Sequence, residues 1–79
     1  MRGPLNLLPL SDAVFDVVDT SGQRLGRLKR IGALWKFKAI GQGPGGELEP
    51  GGGPLTARHN IAFERPDAAV VSERLLGPG

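Results

Sequence analysis

The 79-residue chain has no cysteine and no tyrosine, one histidine, and four aromatic residues in all. Without cysteine there is no disulfide to staple a small core, and no thiolate for metal or redox chemistry. A lone imidazole, His59, cannot supply a zinc site by itself. No apolar run approaches the roughly 18 residues of a membrane-crossing helix. Residues 1–10 are apolar but broken by Pro4 and Pro9, and hold no hydrophobic stretch of signal-peptide length. The expectation is a protein with no membrane association and the cytoplasm as its default compartment. Catalytic patterning is equally sparse. Ser11, Thr20, Ser21, Thr56 and Ser72 have no nucleophile context, and His59 has no acid or nucleophile set around it. The chain is expected to be a binding module, not an enzyme, with no cofactor.

What is present is glycine, proline and an uneven charge. Gly is 13 and Pro is 7, and seven of the glycines crowd into residues 41–53. The rest of the chain has ordinary globular composition, enough for one small domain over 13–76. Residues 1–12 read as an extended or disordered lead-in, its leucines able to strap across the domain. Residues 41–54 read as a flexible loop. A chain of this length buries only about 60% of its unfolded surface, so self-association as a homodimer is a candidate source of extra stability.

Net charge is +2, but residues 24–38 contain Arg24, Arg27, Lys29, Arg30, Lys36 and Lys38 with no acid, a local charge of +6. The remainder is −4. Polarisation of this kind suits an anion-binding surface, or a strand whose charges are neutralised by its neighbours.

Alternation and turn chemistry predict strands over 13–18, 24–31 and 34–40. Gly32 and Ala33 fit a two-residue type II′ hairpin loop, because glycine supplies the positive φ at the first position. That loop dictates a register: Ile31 opposite Leu34, Arg30 opposite Trp35, Lys29 opposite Lys36, Leu28 opposite Phe37, Arg27 opposite Lys38 and Gly26 opposite Ala39. With a side-chain period of two, one face then holds Trp35, Phe37, Ala39, Leu28 and Gly26. The other holds Arg27, Lys29, Lys36 and Lys38. The turn at 19–22 permits a four-residue loop, pairing Val18 with Gln23 and Phe15 with Gly26. It also permits a three-residue loop ending at Gly22, which needs a bulge at Gly26 to keep the faces. The four-residue loop is preferred because it places Phe15 and Val17 in the core; it also puts Asp12 and Asp16 on the basic face, where they offset part of its charge.

Alternation over 55–63 predicts a fourth strand, with a short helix inside 54–60 as the competitor. Residues 66–76 predict a helix, begun by Pro66 and stopped by Gly77. The expected fold is α+β, a small antiparallel sheet of three to four strands with one C-terminal helix on its apolar face. The expected core is Phe15, Val17, Leu28, Trp35, Phe37, Ala39, Ile61, Phe63, Val71 and Leu75.

Three patterns invite functional readings. Residues 41–46 match G-x-G-x-x-G, but the dinucleotide reading needs a helix opening there, and Pro44, Pro50 and the surrounding glycines forbid one. Trp35 and Phe37 could stack bases, yet they lie on the only face rich enough to be the core; Arg30 opposite Trp35 could form a cation–π pair. Arg27, Lys29, Lys36 and Lys38 are the candidate binding residues. Nucleic acid or an acidic protein is the partner they fit.

Overall fold

The computed structural model describes residues 4–77. Six antiparallel strands and one C-terminal helix form the molecule: β1 (Asn6–Ser11), β2 (Val14–Val18), β3 (Arg24–Ile31), β4 (Leu34–Gln42), β5 (Leu48–Pro50), β6 (Ala62–Phe63) and α1 (Ala68–Leu76). The sheet runs β1-β2-β3-β4-β5, and β6 also pairs with β4. The α+β class holds, with more strands than the three to four expected.

The β3–β4 register is the expected one at all six pairs, from Gly26 opposite Ala39 to Ile31 opposite Leu34. Gly32 has φ +63° while Ala33 keeps a negative φ, as a type II′ loop requires. The preferred first hairpin is corrected. Asp19 N–H bonds to the Gln23 carbonyl at 3.0 Å, and Gly22 sits at φ +88°, so the loop has three residues. Asp19 Oδ1 stabilises it by accepting from the Ser21 and Gln23 amides at 2.9 and 3.0 Å. Val18 then pairs with Arg24 and Val17 with Gly26, which leaves Leu25 as an extra residue in β3. This bulge restores the side-chain parity. Phe15 faces Leu28 rather than Gly26, and Asp16 faces Arg27 rather than Leu25 while keeping its place on the basic face. A Cβ on Gly26 would stand 2.5 Å from the Lys38 carbonyl oxygen and from the Phe37 ring. Phe37, not Phe15, is therefore the aromatic that covers the strand glycine.

Three further expectations change. Residues 6–11 are extended, one of the two readings of the lead-in, but as a sheet strand, β1, paired with β2; residues 1–3 lie outside the described residues. The 41–54 segment is not loop throughout: β4 extends to Gln42 and β5, Leu48–Pro50, pairs back onto its residues Ile40–Gln42. The 55–63 strand shrinks to β6, preceded by a 3₁₀ turn over Thr56–Arg58. That turn is the competing helical reading in its shortest form.

The core lies between the sheet and α1. Val17, Leu28, Trp35, Phe37, Ala39, Phe63, Val71 and Leu75 are buried as expected, and Phe15 and Ile61 pack at the margin. Leu25 and Leu55 join them unforeseen, and Leu5 joins as one of the leucines expected to strap across the domain. Leu25 enters through the bulge. Leu5 is anchored to the helix by its own N–H, which donates to Ser72 Oγ at 2.9 Å. The helix begins two residues later than expected, with Asp67 as its cap: its carboxylate accepts from the Ala69 and Val70 amides at 2.9 and 3.2 Å. Arg74, in the last turn, donates to the Ala62 carbonyl at 2.8 Å and lies over the Phe63 ring. Among the described residues this, and not Arg30 with Trp35, is the cation–π contact. No helix among them is long and apolar enough to cross a membrane.

A candidate anion-binding trough

Side chains of β3 and β4 that point away from the helix meet in two cross-strand rows. One row runs Leu8, Asp16, Arg27, Lys38, and the other Val14, Lys29, Lys36, Ala62. All four candidate residues, Arg27, Lys29, Lys36 and Lys38, therefore lie on one face, as the alternation requires.

The two rows differ in how their charges are held. In the first, Asp16 accepts from Arg27 Nε at 3.2 Å, and Lys38 Nζ donates to Asn60 Oδ1. Asn60 presents that oxygen from a left-handed backbone position, φ +73°, which asparagine tolerates better than most residues. In the second row, Lys29 and Lys36 stand directly opposite one another. Neither has an ion-pair or hydrogen-bond partner among the described residues. Like charges so placed are unfavourable by roughly 0.2–1 kcal/mol.

Arg24 joins this face although the sequence reading left it out of the site. The bulge at Leu25 turns it onto Asp16, whose Oδ1 lies 3.2 Å from Arg24 Nε as well. Five basic side chains thus share this face with Asp16, which contacts two of them. Arg24 was among the bases of the acid-free 24–38 segment, and the three-residue loop with its compensating bulge was the signal that could have placed it on this face.

The face is concave. Asp16 and Val18 are only 7% exposed although they point away from the helix side. Leu8 of β1 and Leu48 of β5 line the same cavity of about 420 Å³, with Asp16, Arg24 and Ile40 between them. In a flat sheet, strands four places apart would be separated by about 19 Å. The sheet must curl to bring both to one cavity. A second cavity of about 280 Å³ adjoins the first across Ile40 and Leu48, and is bordered by Arg27, Lys29, Lys38 and His59. The result is a trough with aliphatic walls and cationic side chains.

His59 has a structural task at its end. Its Nδ1 accepts from the Ala39 amide at 3.0 Å, while the Ala39 carbonyl accepts from Gly51 N–H at 2.7 Å. The imidazole thereby fills the gap along β4 between β5 and β6, and its Nε2 is the protonated nitrogen when the ring is neutral. The residues of the G-x-G-x-x-G match form the β4–β5 hairpin turn, closed by Gly43 N–H to the Glu47 carbonyl at 2.7 Å. No helix follows it, so the dinucleotide geometry is not formed. Trp35 and Phe37 face the core. No cluster of three or more potential metal ligands occurs among the described residues.

The fold and face together describe a small curled antiparallel sheet, backed by one helix, with a cationic trough on its open side. The chain matches no family model, and no curated protein or solved structure is found to be similar to it.

Proposed function

We propose that the protein is a non-enzymatic binding module that contacts nucleic acid or another polyanion through the trough, with Arg27, Lys29, Lys36 and Lys38 as the contacting residues. The observation that carries this reading is the Lys29–Lys36 pair, two cations directly opposite one another beside the trough, with no acidic partner among the described residues. Such a pair is unfavourable in the free protein and relieved by a bound phosphate. Binding through these groups is dominated by counterion release, so it weakens steeply with salt and reads sequence little.

The test is an NMR titration of labelled protein with a single-stranded oligonucleotide and a short duplex at low and moderate salt. Shifts should centre on Lys29 and Lys36 and fade as salt rises. The triple replacement of Lys29, Lys36 and Lys38 by Gln should abolish binding while the spectrum remains that of a folded protein. Binding that persists in this variant overturns the reading.

A second reading has its own observation. Ile31 and Leu34, at the tip of the β3–β4 hairpin, are 47% and 41% exposed, and they sit beside the lysine pair. That combination suits an acidic protein with an apolar contact. A second copy fits this face poorly, since basic would meet basic. Edge pairing through β1 is hindered by Pro9 and by the register shift beside it. Light scattering that shows a dimer dissociated by Ile31→Ser would favour self-association over both.

A further inference from the structure

We propose that Asp16 is a positioning residue that converts Arg24 and Arg27 into a phosphate-binding fork at the centre of the trough, an inference that rests on the polyanion reading above. One carboxylate oxygen, Oδ1, holds both Nε atoms at 3.2 Å. The two guanidinium groups are therefore anchored at the same point. Arg27 is tied by an Nε hydrogen bond and Arg24 by its ion-pair contact alone, and each side chain remains about a third exposed, at 33% and 37%. The terminal nitrogens of both have no other partner among the described residues.

Guanidinium groups recognise phosphate oxygens through planar, paired N–H donors. A free arginine must lose side-chain entropy to do so, and one already fixed through Nε loses less. The Asp16 side chain is itself only 10% exposed. It is fixed on a strand and rigid enough to serve as the anchor. The ligand class is a phosphate group, one oxygen taken by each arginine, with the flanking phosphates of a strand left to Lys29 and Lys36.

This assignment makes a prediction opposite to that of net charge. Removing an acid from a cationic face should tighten binding of a polyanion if charge alone matters. If Asp16 orients the fork, Asp16→Asn should weaken it. The probe is a short oligothymidylate, its affinity measured by fluorescence anisotropy at two salt concentrations, with folding checked by circular dichroism. A loss of about tenfold is expected, the size of one charge-assisted hydrogen bond. Arg24→Lys, which keeps the charge and loses the fork, should show a similar loss. In the wild type the Nε–Hε resonances of Arg24 and Arg27 should shift on titration, and in Asp16→Asn they should broaden into the bulk arginine signal. A folded Asp16→Asn protein that binds equally or more tightly overturns the fork and leaves the polyanion reading in place. If that variant does not fold, unchanged affinity in Arg24→Lys overturns it instead. A wild type that does not bind oligothymidylate at low salt overturns both.

Discussion

On β4, Trp35, Phe37 and Ala39 point toward the helix and are at most 9% exposed, whereas Lys36, Lys38 and Ile40 point to the opposite face, the side of the trough, and are half-buried. The same strand thus serves two faces with different physical demands. Toward the helix, every position is decided by volume: Phe37 fills the space over Gly26, and Val71 and Leu75 close on it from α1. Toward the trough, volume leaves choices open, and the residues present include an electrostatically unfavourable pair. Packing accounts for the first face completely. It does not account for Lys29 opposite Lys36, which is why the functional argument belongs to the second.

The contrast is broken most severely by truncating the packed side. Phe37→Ala should cost about 3–5 kcal/mol, comparable with the whole stability of a domain this small. Circular dichroism should show a largely unfolded protein at room temperature. Lys29→Ala, in the neighbouring strand but on the trough side, should stay within about 0.5 kcal/mol of wild type. A Phe37→Ala protein that melts near the wild-type temperature would mean that the faces are not distinguished by packing.

Overfilling the same side should be the next largest effect. Gly26→Val introduces a side chain where even a Cβ meets a backbone oxygen and the Phe37 ring at 2.5 Å. The expected loss is about 3 kcal/mol, visible as a lower urea midpoint. His59 offers a smaller and chemically cleaner perturbation. His59→Ala leaves the buried Ala39 amide without its acceptor, at a cost of about 1–2 kcal/mol, with faster hydrogen exchange at that amide. His59→Asn keeps an acceptor oxygen near the Nδ1 position and should recover most of the loss. Equal destabilisation by both would remove the ladder-filling role.

The parts of this architecture that were legible in the sequence were those decided by two neighbouring residues. Gly32 and Ala33 permit one tight loop, and that loop fixed the β3–β4 register and all four candidate basic residues with it. The parts that were not legible lack a clean local signal or depend on contacts far along the chain. The leucine-rich start pairs locally with β2 across Asp12 and Ala13, but Pro9 and the register shift beside it obscure the strand pattern, and the Leu5 anchor on Ser72 lies 67 residues away. The glycine-rich segment looked like a flexible loop because its glycines answer a tertiary demand. A Cβ on Gly41 would lie 2.5 Å from the Gly53 nitrogen, where the chain crosses back over β4. The alternation over 55–63 was misleading because His59 meets β4 through its side chain instead of its backbone. Arg24 was missed for a related reason: the bulge that turns it onto Asp16 was a condition attached to the less favoured loop.

The smallest predicted effect bears most directly on the trough. Lys36→Glu replaces the Lys29–Lys36 repulsion by a cross-strand attraction at the same positions. Lys36 is only half-buried, so solvent screening keeps the gain near 0.2–1 kcal/mol. The variant should unfold at a slightly higher urea concentration than wild type, and the difference should shrink in salt. Its affinity for an oligonucleotide should fall, and the slope of affinity against salt should become shallower by about one phosphate contact. Stability and binding then move in opposite directions on one substitution, as expected of a residue retained for a ligand. If Lys36→Glu instead destabilises the protein, the lysine pair supports the fold in a way its geometry does not reveal, and the charge on this face loses its claim to be a binding feature.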